Sequence, residues 1–413
     1  MTASDVRAAL EAPLPTDPDV IRTCTHAEAR DCLRSNELES ARHLTGWPVM
    51  GGAIVTVDGP AHRSRRRLES VLFGHTHLRR YEFEMLQPAV DAALRRAAAG
   101  RDDDGIVRVD LVTLARRIMI TISASIVGLD LADTDEVRHR RLDDCLAGLV
   151  RGVTVEWTHE DRGAVLEDAI GWKEVFDREF VEPALARRQA APSGATGEAE
   201  HYPDLLAVLV ADESHGLDRA GILTECVQYL TASSGTTATA VVHTVHHLLA
   251  WLKAHSEDAG RLGDSDFLRA AAMESLRLHP GPHLLLRRAT ADVELRGRTI
   301  PTGRLVAVDV REANRDTEVY GERADEFDPR RSTGPGVAPE GFTFGGGRHV
   351  CIGRPLALGT YGRRGEAEVD GTIVRILRSV FAAGVRPSPA AEPTRVNGVE
   401  DRFGSYPVHL TAL

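Results

Sequence analysis

The 413-residue sequence predicts a mainly α fold with a small β portion. Three observations lead there. Apolar residues recur at helical spacing through most of the chain. One uninterrupted stretch, about 219–254, is long enough for a helix on the order of 50 Å. Alternating or β-branched runs are few, and gather near 293–310 and at the C-terminus.

In chain order, Asp19-Val-Ile-Arg-Thr is the first strand-like segment. Residues about 78–99 place Leu86, Val90, Ala93 and Leu94 on one helical face, and 107–128, 136–152 and 161–190 have the same periodicity. Residues 190–203 are small and polar and predict a surface loop, with the next helix starting near Pro203-Asp204. After the long central helix, Val293-Glu-Leu-Arg, Thr299-Ile and Leu305 to Val310 predict strands, turned by Gly297 and Pro301-Thr-Gly303. Residues 329–341 are irregular, and Gly404 to Leu410 gives one more short strand. There is no internal repeat and no clear linker, so residues 1–413 are expected to form one domain.

Composition bounds the function. Lys+Arg number 50 against 61 Asp+Glu, a net charge of −11, which argues against a general nucleic-acid binder. Cys24, Cys32, Cys145, Cys226 and Cys351 are scattered, as expected for a reducing compartment. The lack of a paired C-x-x-C argues against a structural zinc site. The most apolar run, Ile118 to Leu129, is short and carries Thr and Ser, and the N-terminus lacks the charged start and apolar stretch of a signal peptide. The expectation is a soluble cytoplasmic protein with no membrane or nucleic-acid partner.

The most informative stretch is Phe344-Gly345-Gly346-Gly347-Arg348-His349-Val350-Cys351-Ile352-Gly353, followed by a helix-compatible Arg354-Pro-Leu-Ala-Leu. Glycines let this backbone turn sharply and approach a flat ligand. Backbone N–H groups and a helix N-terminus stabilise a thiolate, and a buried thiolate is a good axial ligand for haem iron. The run resembles the cysteine-ligand loop of the cytochrome P450 family, F-x-x-G-x-[RH]-x-C-x-G, with Phe344, Gly347, His349, Cys351 and Gly353 in place. The resemblance implies haem b ligated by Cys351, with Phe344 and Gly345 against the cofactor, in a single-domain fold whose long helix crosses over the haem.

Further motifs follow in family order. Glu274 and Arg277 share a helix face at i,i+3 before Pro280 and resemble the family's E-x-x-R motif, about 75 residues before Cys351. There the pair is buried and completed by a third arginine, here Arg330 or Arg331. His62 and Arg66 stand at i,i+4 and resemble the family's H-x-x-x-R. Arg287 resembles the strand arginine that reaches a haem propionate. Arg288 beside it would face the other way in a strand. With His349, these four are the implied propionate donors. Ala313-Asn-Arg-Asp and Phe327-Asp-Pro also match, so the resemblance runs from about residue 50 to the C-terminus.

Two departures stand out. The family's central helix carries [AG]-G-x-[DE]-T-T, whereas this chain reads Ala232-Ser-Ser-Gly-Thr-Thr237. The alcohol, Thr236, is kept as the implied catalytic group. The acid is replaced by Gly235, so proton delivery is expected from Ser233, Ser234, water or the substrate, or the chemistry ends in coupling or ring closure. After Cys351, the glycine-rich stretch 359–371 is expected to interrupt a helix that the family continues.

No nicotinamide or flavin fingerprint occurs, so electrons are expected from a ferredoxin and its NAD(P)H-dependent reductase, docked by the basic run His62 to Arg67. The implied activity is oxidation of a small organic substrate with O2, by hydroxylation or oxidative coupling, in bacterial secondary metabolism. A peroxide-driven oxidase and a non-catalytic haem sensor are the alternatives. Substrate walls are expected near 43–57, 150–163 and 284–287, including Trp47, Met50, Trp157, His283 and Leu284.

Overall fold

The computed structural model describes residues 3–129, 131–132, 134–190, 203–212, 216–360, 368–396 and 401–413. Helices dominate and strands are few and short, as the periodicity predicts. The central helix spans Arg219–Ala254. The predicted 107–128 helix begins instead with a strand, Val107–Asp110, and becomes helical at Leu111–Val127. The strand's Val-Arg-Val alternation is too short to stand out beside the long apolar helix that follows. The predicted loop at 190–203 lies largely outside the described residues.

Packing groups the chain into two compact units, one built from 1–18, 40–77 and 120–234, the other from 19–39, 78–119 and 235–413. The first is helical. Its core gathers Leu142, Leu146, Leu149, Ala169, Phe176, Phe180, Leu205, Cys226 and Leu230, all near zero exposure. Glu136–Val153 packs on Arg162–Phe176 at two glycines. A Cβ on Gly148 would fall 2.1 Å from the Trp172 ring, and one on Gly152 would meet Ala169 at 2.4 Å. Asp135, Asp161 and Asp204 cap their helices by accepting from Arg138, Ala164 and Ala207 N–H groups. Met50, expected near substrate, instead belongs to this core at 1 % exposure.

The second unit holds the β portion. Leu305–Asp309, buried along its whole length, pairs in parallel with Ile21–Thr23 and antiparallel with Leu284–Ala289. Pro407–Leu410 lies between Val107–Asp110 and Val385–Pro387. Val293–Leu295 and Arg298–Ile300 form a hairpin whose turn, Arg296-Gly297, has positive φ at both residues. Ser265–Leu278 carries ten buried residues, Glu274 and Arg277 among them.

Candidate active site

The cysteine loop is shaped by glycine and held from behind. Gly345 and Gly347 have φ of 70° and 60°, conformations that side chains resist. A Cβ on Gly347 would fall 2.1 Å from the Leu33 carbonyl oxygen. Arg348 donates to the Ser35 and Leu38 carbonyls at 2.9 and 3.1 Å, fixing the loop to the segment after the His26–Arg34 helix. The Cys351 N–H donates to the Phe344 carbonyl at 2.8 Å, closing the loop on itself. Cys351 is exposed, where the sequence reading expected a buried thiolate, and stands just before the five-residue helix Arg354–Leu358. Glu340, 1 % exposed, takes Arg354 at 2.5 Å.

Behind the loop stands a buried ion cluster. Glu274 and Arg277 pair through two bonds of 2.7 and 2.8 Å at 4 % and 0 % exposure. The third member is Arg331, which reaches Glu274 at 2.9 Å. Arg330 turns away to Glu257 and Asp258. Arg277 also donates to the Asn314 and Ala324 carbonyls at 2.7 Å. Asn314 in turn donates to the Arg277 carbonyl and accepts from the Phe342 N–H at 2.8 Å. Thr343 donates to the Leu276 carbonyl at 2.7 Å. These bonds couple the acid–arginine cluster directly to the start of the cysteine loop. Asn314 has no sequence signal for this role beyond its family-like run, because its partners are backbone groups.

The other predicted groups fall as follows. Arg287 is 2 % exposed and Arg288 is exposed, the alternation expected of a strand. Arg287 donates to the Leu286 carbonyl at 3.0 Å, and Leu285 reaches within 4.0 Å of a Cβ placed on Gly345. Arg287, His349, Phe344, Gly345 and Cys351 are thus gathered by one strand and one loop. Thr236 is exposed although it lies mid-helix, and Gly281 packs close enough that a Cβ there would meet the Thr236 methyl at 3.4 Å. His62, at 3 % exposure, and half-buried Arg66 lie on Gly59–Glu69 in the other unit. The basic run is less of a surface than its sequence suggests. Arg65 is buried and paired with Glu225 at 3.0 Å, which leaves Arg63 and Arg67 exposed. Ser233 Oγ lies 2.6 Å from the Tyr229 carbonyl and from Ser123 Oγ, and Ser234 donates to the Leu230 carbonyl at 2.7 Å. Both hydroxyls are therefore engaged with their own helix or its neighbour.

The donor set suits a haem. Burial pushes the Cys32 and Cys145 thiols up to about 12 and the Cys226 thiol higher still, so those three sulfurs are held as thiols within the cores. Cys351 instead offers its sulfur at the rim of a glycine cradle, with cationic Arg287 on the strand that touches the cradle.

After Cys351 the helix stops at Leu358, as the glycines predict. Gly359 and Gly371 have φ of 79° and 84° and cross so closely that a Cβ on Gly371 would fall 2.2 Å from the Gly359 nitrogen. Thr360 and Val369 exchange backbone hydrogen bonds beside that crossing, while residues 361–367 lie outside the described residues. The crossing is secured by Glu82, which accepts from the Gly371 N–H at 2.9 Å and pairs with Arg375 at 2.8 Å.

Among the described residues, no helix is long and apolar enough to cross a membrane. The cytochrome P450 family profile matches residues 258–359, which hold the acid–arginine cluster and the cysteine loop. The chain is 27% identical over 341 residues to the cyclooctat-9-en-7-ol 5-monooxygenase of Streptomyces melanosporofaciens, covering 75% of this chain and 70% of that one. It is 26% identical over 370 residues to the C-19 steroid 1alpha-hydroxylase of Sorangium cellulosum, covering 88% and 82%. Among solved structures, CalO2 superposes with a TM-score of 0.74 at 23% identity, covering 99% of this chain and 95% of that one.

Proposed function

We propose that this chain of the cytochrome P450 family, a haem-thiolate oxidoreductase acting on small organic molecules, holds its iron through Cys351 within one domain spanning 1–413. The observation that carries the assignment is the Cys351 thiol at the edge of a glycine cradle whose backbone is braced by Leu33 and by the Glu274–Arg277–Arg331 cluster. When bound, a haem would supply reductive activation of O2, which a thiolate ligand favours by donating electron density.

The protein's own groups then bind, orient and hold protons. Phe344 and Gly345, in the cysteine loop, would lie against the cofactor. Arg287 and His349 would provide cationic or N–H donors for its carboxylates, and the family resemblance adds His62 and Arg66 to that role. Thr236, exposed on the central helix, would be the hydroxyl able to hold a proton at Oγ1 for the reaction. Gly235 adds no acid, and the Ser233 and Ser234 hydroxyls are committed to helix carbonyls. This supports delivery of the proton by the substrate or by water resting on Thr236. The two relatives carry the names of a monooxygenase and a steroid hydroxylase, which supports a bulky, mostly apolar substrate oxidised in secondary metabolism. Electrons come from a ferredoxin and its NAD(P)H-dependent reductase, with Arg63 and Arg67 as docking charges on an acidic protein.

The test is spectroscopic. Reduced, haem-loaded protein treated with carbon monoxide is expected to show the strongly red-shifted thiolate band. Cys351→Ala is expected to lose it. Retention of the band in that variant overturns the assignment.

A further inference from the structure

We propose that His243, His247 and His279 form a binding site for a divalent first-row cation of the zinc class, separate from the haem-thiolate centre. His243 and His247 stand four residues apart on Arg219–Ala254, a spacing that puts both imidazoles on one helix face. His279 is the C-cap of Ser265–Leu278. One ring nitrogen from each lies within 4.8 Å of the other two.

The hydrogen bonds around the rings leave one unpartnered nitrogen and one shared proton between the rings. His279 Nδ1 lies 2.8 Å from a carboxylate oxygen of Asp401, so Nδ1 carries a proton. A carboxylate behind an imidazole is the usual outer support of a metal ligand. His243 Nε2 lies 2.8 Å from the Asp401 carbonyl, which can only accept, so its proton is there too. His243 Nδ1 is then a bare nitrogen, buried and without a hydrogen-bond partner. An unmatched buried acceptor is costly, and a cation relieves it. His247 Nε2 faces His279 Nε2 at 2.8 Å. That contact is a hydrogen bond, so one of the two nitrogens carries the proton that a metal ion would displace.

Ligation asks for two adjustments. A tetrahedral zinc with bonds of about 2.0–2.1 Å sets its nitrogens about 3.3 Å apart, so the His247–His279 gap opens by about half an ångström. His243, stacked on His279 at 4.0 Å and 14°, turns off that stack to aim Nδ1 at the ion. Water completes the coordination. Phe327 stacks on His247 at 4.6 Å and Phe403 lies 5.0 Å from His243, forming an apolar shell. Arg395 takes the second Asp401 oxygen, which keeps that carboxylate in the outer shell. Three imidazoles favour zinc, copper or nickel over magnesium or calcium.

The position suggests a structural clip. His243 follows Thr236 by two turns, about 10 Å along the same helix. His279 precedes Gly281, which packs against Thr236. A bound ion would lock the end of Ser265–Leu278 to the central helix just beyond the distal hydroxyl. Because ion and proton compete for one gap, affinity is expected to fall as pH is lowered.

The test uses haem-loaded protein dialysed against a chelator and titrated with Zn2+ at neutral pH, read by calorimetry and by metal analysis after gel filtration. One zinc per chain is expected, with affinity at least about tenfold weaker in His243→Ala and His247→Ala. The exposed His159→Ala is expected to match the parent. No retained zinc in the parent, or equal affinity in the two site variants, overturns the proposal. Should the variants lose their fold, crystals of the parent soaked in zinc decide the matter. Anomalous density among the three imidazoles supports the site, and its absence there overturns it.

Discussion

At the scale of single residues, Glu274 shows how one side chain can hold a distant loop. It is 4 % exposed and meets Arg277, Arg331 and the Asp328 N–H. Removing it strands two arginines, one of them fully buried. Glu274→Ala is therefore expected to cost about 3–5 kcal/mol, because unpaired buried charge outweighs the lost attraction. Chemical denaturation and the haem-to-protein ratio after purification check this, and both are expected to fall together. Stability and haem content equal to the parent would remove the cluster from the account of the loop. The i,i+3 pair was visible in the sequence, and so was the choice between Arg330 and Arg331. Which arginine closes the cluster depends on the irregular backbone at 329–341, whose direction no local pattern encodes.

At the scale of elements, the cysteine loop depends on glycines that the sequence displays and on a surface it does not. Gly347 needs positive φ and also lies against the Leu33 carbonyl. Gly347→Ala is expected to destabilise the loop by about 1–3 kcal/mol through backbone strain, with a further penalty from the 2.1 Å clash. Reduced haem occupancy with an intact far-ultraviolet circular dichroism spectrum is the expected readout. Full occupancy would show that the loop relaxes freely. The crossing at Gly359 and Gly371 was legible as a helix break. Its closure by Glu82 was not, because that partner lies about 290 residues away in sequence and is set by packing.

At the scale of the molecule, charge and pH govern behaviour. Glu69 and Glu225 are both fully buried beside Arg65, and each has one carboxylate oxygen with no hydrogen-bond partner. Burial, and for Glu225 the neighbouring Glu69, push both carboxyls above their ordinary range. One arginine balances one charge, so the folded protein holds a proton that the unfolded chain releases above about pH 4.5. The stabilisation this gives is complete below that pH and is lost as pH rises through the raised values. Between about pH 5 and pH 9 the parent is expected to lose on the order of 2 kcal/mol from this pair, and Glu225→Gln to lose less. Thermal unfolding across that range checks it, and parallel curves would sink the reading. Docking is the second consequence. Arg63→Glu with Arg67→Glu is expected to slow reduction by ferredoxin about tenfold at low salt, with a smaller gap at high salt. An unchanged rate would place the docking surface elsewhere.

The sequence alone determined the helical class and the span of the central helix, and displayed the glycine-rich cysteine loop, the i,i+3 acid–arginine pair and Gly235 in the central helix. Each is carried by periodicity or by spacing within a few residues, which backbone geometry turns directly into local structure. Only the tertiary structure decided that Arg65 leaves the surface for Glu225, that Arg331 rather than Arg330 joins Glu274, that Ser233 and Ser234 are already engaged, and that three histidines converge. Those outcomes depend on burial and on partners far along the chain, where the cost of an unpaired charge or an unsatisfied nitrogen selects the neighbour.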